Sequence, residues 1–140
     1  ASVTKIQGEF TTNDIFNFVT GFYIFTGFWK NTHVLQPGVG YWVKFSQKTT
    51  LEFSGPVFTK TTQQVSFVSN QLTPFALMLN NDVSLTTDFI LTNNAFTTND
   101  IFNFVSGFYR YTGFWSEAHL LEPGTGYWAK FNQDISGTLG

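Results

Sequence analysis

Residues 10–47 read FTTNDIFNFVTGFYIFTGFWKNTHVLQPGVGYWVKFSQ, and residues 96–133 read FTTNDIFNFVSGFYRYTGFWSEAHLLEPGTGYWAKFNQ. About 27 of the 38 aligned positions are identical, without a gap, at a constant offset of 86 residues. Self-similarity at a fixed offset marks one small structural unit written twice. A ~60-residue unit is marginal on its own, because too little of its surface is buried on folding. No charge run or low-complexity linker separates the copies. The 140 residues therefore read as one body made of two repeats, about 1–56 and 57–140.

Within each copy the order of elements follows from turn chemistry and apolar spacing. Residues 1–10 read as a short strand. Thr11-Thr12-Asn13-Asp14 resembles a helix start, a hydroxyl three residues ahead of an acid. Ile15, Phe16, Phe18 and Val19 then fall on one face of two helical turns, with Gly21 as a left-handed stop. The copy repeats this with Thr97, Asp100, Ile101, Phe102, Phe104, Val105 and Gly107. A short helix is expected in both places. Phe22 to Trp29 is a strand or strand pair bent at Thr26-Gly27, and Lys30 to Gln36 is a loop carrying His33. Pro37-Gly38 is a turn, with Pro at its first corner and Gly at positive φ in the second. Gly40 stands where a side chain would collide, and Tyr41 to Phe45 alternate as a strand that buries one face. The second copy offers Pro123, Gly124, Gly126 and Tyr127 to Phe131.

Between the copies, Thr50–Phe53, Val57–Thr59, Val65–Val68, Phe75–Leu79 and Phe89–Thr92 read as short strands between Gly, Pro, Asn and Ser clusters. The fold class expected is mainly β. It is an antiparallel β-sandwich or barrel with two short helices, internally duplicated with pseudo-two-fold symmetry. The phase is uneven. Some 28 residues of strand-rich sequence precede copy two and nine precede copy one, while KTTLEFSGPVFTK follows copy one and DISGTLG follows copy two. Either the missing strands are dispensable, or they come from the other copy or from another molecule.

Composition narrows the function classes. Eighteen Phe, five Tyr and four Trp make the chain very aromatic, and only 11% of residues are charged, under half the usual ~25%. Asn and Thr take their place, which suits an extracellular, cell-surface or virion protein. A net charge of -2, with Lys5, Lys30, Lys44, Lys48, Lys60, Arg110 and Lys130 dispersed, offers no basic stripe for nucleic acid. The absence of Cys excludes disulfides and thiolate zinc sites. No apolar run approaches the ~18 residues that a spanning helix needs, and no N-x-Ser/Thr sequon occurs.

Catalysis finds no constellation. Glu9, Asp14, Glu52, Asp82, Asp88, Asp100, Glu117, Glu122 and Asp134 offer no close pair. PGVG and PGTG lack the Lys and the helix of a phosphate cradle. No enzyme, cofactor or metal is expected. His33 and His119 occupy the same position of each copy, so they either meet as a metal or pH-sensitive pair or each packs on the neighbouring Trp or bonds a turn carbonyl. Trp29, Trp42, Trp115 and Trp128 either form platforms for sugar rings beside Asn and Gln amides or fill the core. Adjacent strand residues Tyr41 and Trp42 face opposite ways, so at least one of each such pair leaves the main core or packs under the expected helix.

Leu35-Gln36-Pro37-Gly38-Val39-Gly40-Tyr41-Trp42-Val43-Lys44-Phe45 and its copy, residues 121–131, share the signature L-x-P-G-x-G-Y-W-x-K-F. This resembles the PG-x-GYW β-modules of large secreted and cell-surface bacterial proteins, and similar modules of large-virus surface proteins. The resemblance implies a small β-rich module outside the cell, usually non-catalytic. The expected departure from it within residues 1–140 is at copy one, where the usual preceding strand is missing. Two functions follow as expectations. One is a structural or assembly module whose partner is protein, another copy of itself included, through an added strand. The other is a carbohydrate-binding module using exposed Trp and Tyr.

Overall fold

The computed structural model describes residues 2–5, 10–29, 34–54, 57–116 and 119–140. Its strands are β1 (Ser2–Lys5), β2 (Ile15–Phe18), β3 (Gly21–Ile24), β4 (Trp42–Lys44), β5 (Leu51–Ser54), β6 (Gln63–Phe67) and β7 (Thr73–Phe75). They continue with β8 (Val83–Ser84), β9 (Phe89–Asn93), β10 (Ile101–Phe104), β11 (Gly107–Arg110), β12 (Leu120–Leu121), β13 (Tyr127–Lys130) and β14 (Ile135–Leu139). Every pairing is antiparallel. The described residues are mainly β and include no helix.

The two expected helices are therefore corrected: Ile15–Phe18 and Ile101–Phe104 are strands. Two turns of helix are too short to persist without packing, and Ile, Phe and Val favour a pleated surface. The Thr-Thr-Asn-Asp motif closes a turn instead. Asn13 and Asn99 take positive φ, 79° and 78°, a conformation Asn tolerates better than most residues. The Asp14 carboxylate accepts from the Thr11 amide at 2.8 Å and its hydroxyl at 2.9 Å, then from the Ser46 amide at 3.0 Å. Asp100 does the same with the Thr97 amide (2.8 Å) and hydroxyl (3.1 Å) and the Asn132 amide (2.9 Å). Each buried acid thus ties the start of one strand to the end of another. Gly21 opens β3 rather than ending a helix, and a side chain there would crowd the Phe18 ring.

The chain divides into two compact units. Unit 1 is Ala1–Gln36 with Tyr41–Val57, and unit 2 is Pro37–Gly40 with Phe58–Gly140. Unit 2 contains a four-stranded sheet in the order β11-β10-β13-β7, a three-stranded sheet β6-β14-β9 and the short pair β12-β8. Strand β6 alternates buried and exposed residues along its length, as a strand with one covered face should. Rings from both larger sheets meet: Phe67 of β6 lies 6.0 Å from Phe102 of β10, and Phe89 of β9 lies 6.3 Å from it. Around them close Phe75, Leu77, Leu79, Val83, Leu85, Leu121, Tyr127, Phe131, Ile135 and Leu139.

Unit 1 contains a three-stranded sheet β3-β2-β4 and the pair β1-β5. Its pairings match those of unit 2 residue for residue at the 86-residue offset. Phe16 faces Tyr23 and Val43 as Phe102 faces Tyr109 and Ala129. Val3 faces Phe53 as Phe89 faces Leu139. Strand β14 falls in DISGTLG, for which the sequence carries no strand expectation, and has Gly137 at its centre. It shows that DISGTLG is the counterpart of KTTLEFS, so the copies are in step at that end.

Candidate interaction surface

The signature loop is built the same way twice. Pro37-Gly38 and Pro123-Gly124 turn with φ of 82° and 83° at the glycines, as the sequence requires. The Gln36 amide donates to the Tyr41 hydroxyl at 2.9 Å, and the Glu122 amide donates to that of Tyr127 at 2.8 Å. That bond closes the loop and explains the fixed spacing from the turn to Tyr. Burial pushes the Tyr127 hydroxyl above its ordinary range, opposed by the Glu122 amide. Tyr41 is raised for the same first cause, opposed by the Gln36 amide. In unit 2 a side chain at Gly40 would come within 2.7 Å of the Phe75 carbonyl and the Tyr127 backbone, so the residue must be Gly.

An aromatic cluster follows in each unit with matching geometry. Phe10–Trp29 and Phe96–Trp115 ring centroids lie 5.2 and 5.1 Å apart, and Phe16–Trp29 and Phe102–Trp115 lie 5.8 and 5.9 Å apart. Phe18–Tyr23 and Phe104–Tyr109 are both at 4.9 Å. Trp29 and Trp115 therefore sit inside edge-to-face aromatic packing. Trp115 is buried and Trp29 half-buried. Trp42 and Trp128 are half-buried on the opposite face of their strands from Tyr41 and Tyr127. There Asn17 stands between Phe22 and Trp42 across the sheet, and Asn103 between Phe108 and Trp128.

His33 lies outside the described residues. His119 has Nδ1 2.6 Å from the Ser116 carbonyl and Nε2 3.2 Å from the Ser84 hydroxyl. A carbonyl can only accept, so Nδ1 carries the proton and Nε2 faces the hydroxyl. The ring thereby links the β12 end of the chain to β8. Among the described residues no group of three or more His, Asp or Glu is placed to hold a metal ion. They include no helix long and apolar enough to cross a membrane.

The units differ at their edges. In unit 2, β13 lies between β10 and β7, and β14 lies between β6 and β9. Their counterparts β4 and β5 are edge strands, because no described residue of unit 1 forms a counterpart of β6, β7 or β8. The exposure follows. Val43 is 50% exposed where Ala129 is 0%, and Phe53 is 57% exposed where Leu139 is 0%. Phe16 is the one apolar side chain of unit 1 that is buried among the described residues. Val43, Leu51 and Phe53 were not singled out as site residues by the sequence; the uneven phase was the signal that pointed to them. The chain matches no protein-family model, no curated protein and no solved structure.

Proposed function

We propose that this chain is a non-catalytic assembly module of an extracellular filament, a cell surface or a virion, and that it works through protein–protein contacts. We read its two units as products of one internal duplication of a β-sandwich. The observation that carries the reading is the exposure of Val43 and Phe53 on edge strands whose counterparts are interior and fully buried. An edge strand with an apolar inner face is a template for another strand. Covering the exposed half of two such side chains is worth roughly 1 kcal/mol each. The low charge and the PG-x-GYW resemblance support an extracellular setting. Light scattering after size-exclusion chromatography, over a range of concentrations, tests it. Association that grows with concentration is expected; a monomer at high concentration overturns self-assembly.

A carbohydrate-binding reading is favoured by one observation. The rows Phe22–Asn17–Trp42 and Phe108–Asn103–Trp128 put an amide between two aromatic rings on one sheet face. Glycan-array binding that falls in Trp128→Ala supports it, and an array without hits removes it. Trp115→Ala is unsuited to this test, since that ring is part of the core.

A further inference from the structure

The open edges of unit 1 have a defined shape, because unit 2 shows the same strands with those edges filled. Strand β7 pairs with β13 so that Thr73, Pro74 and Phe75 face Ala129, Trp128 and Tyr127. Strand β6 pairs with β14 so that Gln63, Val65 and Phe67 face Leu139, Gly137 and Ile135. Inward from these two strands come Val65, Phe67 and Phe75, followed by Leu77, Leu79 and Val83. The Phe67 and Phe75 rings each reach Phe102, at 6.0 and 5.9 Å. The counterpart of Phe102 is Phe16, whose described ring partners are Trp29, Tyr41 and Phe45, all within its own repeat.

Building on the assembly reading, we propose that unit 1 binds, from a second polypeptide, a strand segment of the Phe58–Thr86 type. It would do so in the register that unit 2 displays. At the 86-residue offset, Thr73 of the incoming segment faces Val43 and its Val65 faces Leu51. Its Gln63 faces Phe53 by the same rule. Main-chain hydrogen bonds along β4 and β5 supply affinity. The incoming Val, Phe and Leu side chains cover Val43, Leu51 and Phe53, which sets the register, since a one-residue slip would turn the apolar set outward. Leu51 replaces Gly137, whose missing side chain in unit 2 admits the Ile90 carbonyl. In β5 the alternation puts Leu51 on the same face as Phe53, and Leu51 is half-buried.

The probe is a synthetic peptide of residues 58–86 added to the full chain, with binding read by calorimetry and residue-resolved amide hydrogen exchange. The expected result is saturable binding, with exchange at Trp42–Lys44 and Leu51–Phe53 slowed about tenfold or more. Val43→Lys and Phe53→Lys should each weaken binding about tenfold or more, and a scrambled peptide should not bind. A fusion of residues 58–86 directly ahead of Ala1 restores the spacing found in unit 2 and serves as the second variant. A peptide that fails to bind, beside a fusion that leaves exchange in unit 1 unchanged, overturns the proposed fit. A peptide that fails to bind, beside a fusion that slows exchange there, overturns donation by a second polypeptide. Self-association without peptide binding leaves the assembly reading standing and removes this donor.

Discussion

Ala129 and Val43 occupy the same place in two copies of nearly one sequence, yet one is sealed and the other is half open. The same holds for Leu139 and Phe53. Local structure is not the cause. Turns, strand registers, the buried aspartate and the aromatic spacings all repeat between the units. What differs is the covering layer: unit 2 has β6, β7 and β8, and unit 1 has no described counterpart. Short-range sequence therefore sets the pairing, while burial depends on strands drawn from elsewhere in the chain.

The largest effect should separate the units. Phe102 meets Phe67, Phe75, Phe89, Trp115, Tyr127 and Phe131, twice as many described rings as Phe16 meets. Phe102→Ala should cost unit 2 about 4 kcal/mol, and Phe16→Ala should cost unit 1 about half of that. Residue-resolved hydrogen exchange in denaturant reads each unit separately, and equal costs would break the comparison.

A second pair should instead agree. Asp14→Ala and Asp100→Ala each strand three equivalent donors of a turn that is complete in both units, and Asp14→Ala also frees the Ser46 hydroxyl at 3.3 Å. Each should lose about 3 kcal/mol, measured the same way. A large gap between them would show that the turns depend on the covering layer after all.

A third, smaller effect concerns pH. Burial raises the Tyr127 hydroxyl, so the folded state favours the neutral phenol. Its contribution is fully present below the ordinary tyrosine value of about 10 and is lost as pH rises through the raised one. Alkaline titration should weaken unit 2, and Tyr127→Phe should remove part of that dependence while losing about 1 kcal/mol with the Glu122 hydrogen bond. A pH profile unchanged by the substitution would place the sensitivity elsewhere.

The smallest effect is the most specific. Val43→Lys and Phe53→Lys should each change the thermal midpoint by what about 0.5 kcal/mol produces, because both side chains already meet water.

The residues show how much of this was legible. Pro37-Gly38 and Pro123-Gly124 announced their turns, and Tyr127 and Trp128 their opposite faces, because these depend on φ and on the strand period. Ile15–Phe18 and Ile101–Phe104 were misread because an apolar run this short satisfies both periods, and the flanking Thr and Asp cap a turn as well as a helix. The reason Gly137 is Gly is not legible locally, since it is the Ile90 carbonyl of a strand far off in sequence. Sugar platforms and an aromatic core use the same residue types, so composition could not place Trp115; the packing of Phe96, Phe102 and Tyr111 around it does.

Amide hydrogen exchange across the intact chain, at a dilution where light scattering shows a monomer, tests the central claim most directly. Leu51–Phe53 and Trp42–Lys44 should exchange about a hundredfold faster or more than Gly137–Leu139 and Trp128–Lys130, their counterparts. Equal protection at the two sets would contradict the account, because it would mean that unit 1 is already closed.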